Sequence, residues 1–274
     1  MEQKQEYTHL YKSATTNEEA IARLIELVRV LRVECPWDRE QTHESLRKCL
    51  LEEAYETVEA INNCDADNLE EEVGDVLLQV IFHSQLGEEA DKFDFVSVTN
   101  RECEKMIRRH PHIFCTENVK SIDKALEKWE NVKRIEKGVS DYTSDLTGVP
   151  KALPALMRSY KVQSKAAKVG FDWDHVEDAF HKIKEEAEEL ESAYAKNDAG
   201  NIKEELGDLL FSIVNVARFL SVDPEEALNS TSDKFIRRFA YIEKRAKEMN
   251  LDLDSMSLED MDKLWDEAKV LERV

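Results

Sequence analysis

Glu52-Glu53-Ala54-Tyr55-Glu56, followed by Glu72-Val73-Gly74-Asp75, is the stretch that decides how this chain is read. The same arrangement returns as Glu185-Glu186-Ala187-Glu188-Glu189, followed by Glu205-Leu206-Gly207-Asp208. Every acid of the second copy lies 133 residues after its counterpart, and in both copies fifteen residues separate the two acid groups. Because 35% of the residues are charged, one copy alone would read as the solvated face of acidic helices. Two copies with one internal spacing read as a duplicated domain that gathers four carboxylates.

Residues three apart on a helix share a face. Glu53 with Glu56, and Glu72 with Asp75, therefore give each helix of a pair two carboxylates, and an antiparallel hairpin through the turn at 62–68 lets the two pairs face each other. The second copy does the same with Glu186, Glu189, Glu205 and Asp208. Four like charges on one buried face repel and raise one another's pKa. A hard, oxygen-seeking cation, Mg2+ or Mn2+, removes that conflict. Gly74 and Gly207 sit inside the second pair of each copy. A glycine inside a helix costs about 1 kcal/mol relative to alanine, and the expectation is that these two allow close helix approach.

Composition favours an all-α fold. Gly and Pro together number only twelve, and the abundant Glu, Lys, Leu and Ala lose little on entering a helix. A net charge of −21 opposes binding to a nucleic-acid polymer, but not to a small phosphate compound that brings its own cation. The N-terminal run Met1-Glu2-Gln3-Lys4-Gln5-Glu6 lacks the pattern of a signal peptide. The apolar runs Val76-Leu77-Leu78 and Val80-Ile81-Phe82 are too short to span a bilayer, so no membrane partner is expected. Five cysteines, Cys35, Cys49, Cys64, Cys103 and Cys115, without a C-x-x-C pair fit reduced thiols in a cytoplasmic protein.

Along the chain, apolar periodicity predicts helices over 17–32, 43–62, 69–88, 94–109 and 122–135. Cys35-Pro36-Trp37-Asp38 reads as a loop, because proline disfavours helix at the residue before it. Asp65, Asp67 and Asn68 read as a turn that caps the next helix. The second half repeats the order with helices over 154–168, 175–195, 201–220, 224–248 and 258–272. The turn-rich stretch between Lys137-Gly138 and Pro150 marks a boundary, giving two domains, 1–136 and 154–274, with 137–153 as linker.

Other landmarks recur with small changes of offset. Trp37-Asp38 matches Trp173-Asp174. Lys105 and Arg109 match Lys234 and Arg238, each a pair four residues apart. Trp129 matches Trp265. A Lys and an Arg on one helix face suit a bound polyphosphate, Arg as a bidentate fork and Lys as a point charge. The two tryptophans are either core residues or platforms for a nucleobase. His110 and His112 flank Pro111 without further ligands and read as loop structure.

Taken jointly these marks resemble the MazG-type nucleoside triphosphate pyrophosphohydrolases of the all-α NTP pyrophosphatase superfamily. The marks are Cys35-Pro36-Trp37-Asp38, both acid sets, Arg109-His110-Pro111-His112-Ile113-Phe114, Val169-Gly170-Phe171-Asp172-Trp173 and Lys234-Phe235-Ile236-Arg237-Arg238-Phe239. The resemblance implies two tandem helical-bundle domains, a homodimer, and Mg2+-dependent cleavage of NTPs or dNTPs to the monophosphate and pyrophosphate, with broad nucleotide specificity. It implies that Glu186, Glu189, Glu205 and Asp208 hold the metal, and that Lys182, Lys234, Arg238 and Trp265 meet the nucleotide. Glu53, Glu56, Glu72 and Asp75 would be the N-terminal metal set, with Lys105, Arg109 and Trp129 as its further contacts. Glu185, or Glu52 in the first copy, is the expected general base. One turn before Glu53 stands Cys49, where the second copy has Lys182, so the C-terminal site is expected to be the principal one. The alternatives are a narrow dUTP, dCTP or phosphoribosyl-ATP pyrophosphatase, and a helical nucleotide-binding regulator without turnover.

Overall fold

A computed structural model describes residues 4–115, 121–136 and 141–272. Among these residues the fold is all helical, without a strand. The chain divides into two compact units, Met1–Lys133 and Arg134–Val274.

Unit 1 opens with a 3-10 helix, Gln5–Tyr11, and continues with α1 (Asn17–Glu34), α2 (Pro36–Arg39), α3 (Arg47–Asn62), α4 (Ala66–Glu89), α5 (Phe95–Arg109), α6 (Pro111–Phe114) and all but the last three residues of α7 (Ile122–Glu136). Most boundaries follow the periodicity, and the departures have local causes. Cys35-Pro36-Trp37-Asp38 is not a loop: Pro36 opens the short helix α2, because a first-turn proline gives up only an N–H that has no helical partner anyway. Pro111 does the same for α6 where a loop was expected. The helix expected from residue 43 begins at Arg47 instead. Thr42 and Ser45 exchange hydrogen bonds between hydroxyl and backbone N–H, at 2.9 and 3.2 Å, and hold a turn ahead of it.

Unit 2 holds α8 (Tyr142–Thr147), α9 (Ala155–Ala167), α10 (Val176–Ala195), α11 (Ala199–Phe219), α12 (Pro224–Glu248), a 3-10 turn at Leu253–Ser255 and α13 (Leu258–Leu271). Of the stretch read as a linker, 137–140 lies outside the described residues. From 141 onward it carries α8, which packs on α9. Val149 just beyond is buried, and Lys165 on α9 pairs with Asp145.

Each unit is organised around one helical hairpin, α3–α4 and α10–α11, the most closely packed helix pair in its unit. The hairpin turns are made alike. Cys64 and Asn197 take left-handed φ values of 53°, ending the first helix. Asp65 and Asp198 then cap the second by accepting from the N–H of Asn68 (3.1 Å) and Asn201 (3.2 Å), which satisfies an orphan donor of the first turn. These turns fix a register that carries through the interior. Ala60 and Ala193 are buried, as are Ile81 and Val214, and Gln79 and Ser212, each pair being 133 positions apart.

The glycines do not behave as expected. A Cβ built on Gly74 or Gly207 would meet nothing within 4 Å. Neither glycine therefore serves helix packing inside its unit. Each lies beside an exposed apolar residue three positions on, Leu77 and Leu210.

Candidate active site

The hairpins bring the acids together. In unit 2, Glu186 on α10 and Glu205 and Asp208 on α11 each place a carboxylate oxygen within 4.8 Å of the others. In unit 1, Glu53 and Glu56 on α3 do the same with Glu72 on α4. The fourth acid stands just outside each group, Glu189 in unit 2 and Asp75 in unit 1. Both still act on their neighbours. The Glu205 carboxyl is pushed above the usual carboxylate range by burial, then by Glu189, Glu186 and Asp208. Burial, then Asp75 and Glu56, raise Glu53, and burial, then Glu56 and Asp75, raise Glu72. Ionised carboxylates held this close favour a counter-charge. The donor set is all oxygen, which fits a hard divalent cation such as Mg2+ or Mn2+.

The two groups differ in their surroundings. Glu186 is only 4% exposed, and Lys182 one turn earlier lies 2.6 Å from it and 2.8 Å from Glu185. Those two hydrogen bonds, to Glu185 first and Glu186 second, hold the Lys182 ammonium well above its ordinary pKa. In unit 1 the corresponding residue is Cys49, while Glu52 pairs with Lys48 at 3.2 Å.

A cavity of about 570 Å³ opens beside the unit 2 acids, with Lys182, Glu186 and Asp208 at one end. It runs along α11 past Phe211, Ser212 and Asn215 to Arg218, and α9 contributes Gln163. Arg218 forms an ion pair with Asp172, tying the Gly170–Trp173 segment to α11; Gly170 takes a φ of 84°. In unit 1 the matching positions are filled. Leu46 stands where unit 2 has Ala179, Gln79 for Ser212, and Phe82 for Asn215. Leu46 and Phe82 pack with Val28, Ile81 and Leu86 into a buried cluster. Larger side chains in one copy thus occupy the volume that smaller ones leave open in the other.

The repeated basic residues keep a common geometry. Arg109 lies 5.3 Å from the centre of the Trp129 ring and Arg238 lies 5.4 Å from that of Trp265, both within cation–π range. Arg238 also pairs with Glu272 at 2.7 Å, and Phe235 packs against Trp265. Lys105 pairs with Glu102. Lys234 is half-buried on α12, one turn before Arg238. Trp129 and Trp265 are themselves half-buried, packed against cations rather than enclosed in core.

Two features escaped the sequence reading. Polar residues at helical spacing in the apolar run of α11, Asp208, Ser212, Asn215 and Arg218, signalled a lined cavity. The stacked pair of His43 and His83, with Nδ1 atoms 2.8 Å apart, joins residues 40 apart and carried no local signal.

An all-α protein built on two acid-bearing helical hairpins, one opening onto a cavity, is the class that the fold and this constellation define. A model of the MazG nucleotide pyrophosphohydrolase domain matches residues 41–114 and again 175–242, and the chain belongs to the MazG family. Both matched segments contain an acid set and its Lys/Arg pair, while Trp129 and Trp265 lie beyond them. The nucleoside triphosphate pyrophosphohydrolase/pyrophosphatase MazG of Thermotoga maritima is 43% identical, over 86% of this chain and 89% of its own length. The nucleoside triphosphate pyrophosphohydrolase of Escherichia coli K12 is 38% identical, over 91% of this chain and 97% of its own. The uncharacterized protein YabN of Bacillus subtilis is 52% identical over 87% of this chain, which spans about half of that relative, 49%.

Proposed function

We propose that the chain is a Mg2+-dependent nucleoside triphosphate pyrophosphohydrolase, with Mn2+ as an alternative metal. It converts NTPs and dNTPs, with water, to the monophosphate and pyrophosphate, with broad nucleotide specificity and the C-terminal site as the principal one. The observation that carries this reading is the group Glu186, Glu205 and Asp208, within 4.8 Å of one another at the end of a 570 Å³ cavity, a volume in the usual range of small-molecule sites. The names of the relatives from Thermotoga maritima and Escherichia coli support the reaction. The packed interior of unit 1 and its Cys49 support the second copy as the working site.

In this scheme Glu186, Glu189, Glu205 and Asp208 hold the cation. When bound, the cation supplies Lewis acidity, lowering the pKa of water and drawing charge from the phosphates. Glu185, fixed by Lys182, accepts the proton of the attacking water. Lys182, Lys234 and Arg238 neutralise the charge that develops as the bond between the α and β phosphates breaks, and Trp265 packs at the nucleotide. Glu53, Glu56, Glu72 and Asp75, with Lys105, Arg109 and Trp129, form the N-terminal counterpart. The two domains are 1–136 and 154–274, joined through 137–153, whose helix α8 packs onto the second of them.

The working form is a homodimer. Val73 and Leu77 on α4, and Leu206 and Leu210 on α11, are exposed beside the two glycines, an arrangement that suits close approach of a second copy. Nucleic-acid polymers and membranes are not partners, in keeping with the net charge of −21, and no helix among the described residues is long and apolar enough to cross a bilayer. Five free cysteines accord with work in the cytoplasm.

Pyrophosphate release measured across eight NTPs and dNTPs with Mg2+ tests the reaction. The expected result is release from most of them. Release from a single nucleotide would replace this reading with a narrow dUTP, dCTP or phosphoribosyl-ATP enzyme. Binding without release would replace it with a regulator.

A further inference from the structure

The two copies fasten the segment that leads into their acid hairpins in different ways. In unit 1, Pro36-Trp37-Asp38-Arg39 is the helix α2. Arg32, on α1, donates to the carbonyls of Asp38, Arg39 (3.0 Å) and Gln41 (3.2 Å). Gln41 Nε2 donates to the Trp37 carbonyl at 2.9 Å. The corresponding Gly170–Asp174 segment of unit 2 has no helix. Gly170, with its φ of 84°, closes α9. Gly170 and Phe171 donate to the carbonyls of Ala167 and Ala166 at 3.0 and 3.1 Å, the pattern of a Schellman cap. Beyond it, residues 172–174 make no backbone-to-backbone hydrogen bond with the described residues.

One carboxylate holds this segment instead. Asp172 Oδ1 accepts from Arg218 Nη2 and, at 3.0 Å, from the Trp173 N–H. Arg218 is itself fixed on α11: its Nε and Nη2 donate to Asn215 Oδ1 at 3.1 and 3.0 Å. The Arg218 and Asp172 side chains are 13% and 23% exposed, so salt screens their attraction less than it would at the surface. The wall of the cavity formed by Gly170–Trp173 is thus set in place from α11. At 1.5 Å of rise per residue, Arg218 lies about 15 Å along α11 from Asp208, at the far end of the cavity from the acids. On this wall Trp173, 49% exposed, and Phe171, 82% exposed, present open apolar faces.

We propose that Asp172 and Arg218 are positioning residues: their ion pair, through the bond from the Trp173 N–H to Asp172, holds the Trp173 ring against the nucleoside of a nucleotide whose phosphates lie at the acids. An aromatic face receives every base, since each has a π-face, and this suits an enzyme of broad specificity. Unit 1 keeps the matching Trp37 on a helix, but Leu46 and Phe82 fill the space behind it.

This assignment rests on the activity proposed above, and the experiment separates the two. Inorganic tripolyphosphate carries the phosphates of the substrate without a nucleoside. KM and kcat for ATP, and the inhibition constant of tripolyphosphate against it, are measured with Mg2+ in Asp172→Asn, Arg218→Met and the double variant. Each single variant is expected to raise KM for ATP about tenfold, the worth of one stacked base, with kcat little changed. The double variant is expected to cost no more than either one, because the two residues act as a unit. The tripolyphosphate constant is expected to keep its wild-type value. A rise in that constant alongside KM, or an unchanged KM, would overturn the assignment and leave the pair a brace for the hairpin. Trp173 emission, taken as the difference between wild type and Trp173→Phe, gives a reading that needs neither charge variant to fold. It is expected to change on binding α,β-methylene-ATP, which resists cleavage between the α and β phosphates, and to stay constant with tripolyphosphate. An equal response to both ligands, or none to either, would overturn the assignment. Absence of turnover on every nucleotide would instead remove the activity itself, while the emission would still report where the nucleoside lies.

Discussion

Lys182 and Glu186 form a 2.6 Å ion pair across one turn of α10, and the equivalent positions in the first unit are Cys49 and Glu53. A duplicated acid group has thus kept its oxygens in both copies and its cation in one. Lys182→Met should lower kcat/KM for nucleotide hydrolysis by about ten- to a hundredfold, the range for a charge-assisted hydrogen bond. Steady-state kinetics with saturating Mg2+ read the effect, and wild-type values in this variant would remove Lys182 from the site.

Asp208→Ala and Glu189→Ala should each reduce pyrophosphate release to near background. Asp75→Ala should leave most of it in place. The comparison is internal to one protein and uses matched positions in the two hairpins. Loss of activity in Asp75→Ala with retention in Asp208→Ala would move the principal site to unit 1.

The raised Glu205 pKa predicts how a cation and pH act together. A carboxyl raised in the folded chain binds its proton more readily folded than unfolded, so its ionisation works against stability above the raised pKa, and protonation relieves this as pH falls. Mg2+ should therefore raise the melting temperature near pH 8, where the acids are charged, by several degrees at on the order of ten millimolar. Near pH 4.5 the shift should largely vanish. Differential scanning fluorimetry at the two pH values checks this, and Asp208→Asn should diminish the shift at pH 8.

His43 and His83 give unit 1 a pH dependence of the opposite kind. Their Nδ1 atoms are 2.8 Å apart, so one donates and the other accepts, and a second proton between them is excluded. Burial first, and His43 second, pull His83 below its ordinary value of 6.5. A histidine depressed in the folded state contributes stability that is complete above its unfolded pKa and is lost as pH falls below it. Hydrogen exchange of the α3 and α4 amides should quicken between pH 7 and 5.5 beyond the intrinsic chemical effect, and His83→Gln should flatten that dependence.

The acid hairpins were legible in the sequence because everything they need is local. Spacings of three give a shared face, and Asp65 and Asp198 announce the caps. The cavity was not legible in the same way. Whether the α3–α4 or the α10–α11 hairpin leaves room depends on a few side-chain volumes, Leu46 against Ala179 and Phe82 against Asn215, and these acquire meaning only once a third helix packs over them. Gln163 lies outside both acid hairpins, on α9, and joins the cavity wall only through the packing of α9 on α11, where it donates to the Phe211 carbonyl. Pro36 and Pro111 were recognised as breaks, but proline both ends one helix and begins the next, and periodicity over four residues cannot distinguish the two.

Gly74 and Gly207 have a consequence for anyone engineering this chain. Both lower the stability of the helix that carries them by about 1 kcal/mol relative to alanine, and neither has an intramolecular neighbour to justify it. A selection for heat resistance in the isolated subunit would accept alanine at both positions early. In the proposed homodimer, alanine at both positions would crowd the open surface beside Leu77 and Leu210, so heat resistance would come at the expense of the contact between copies.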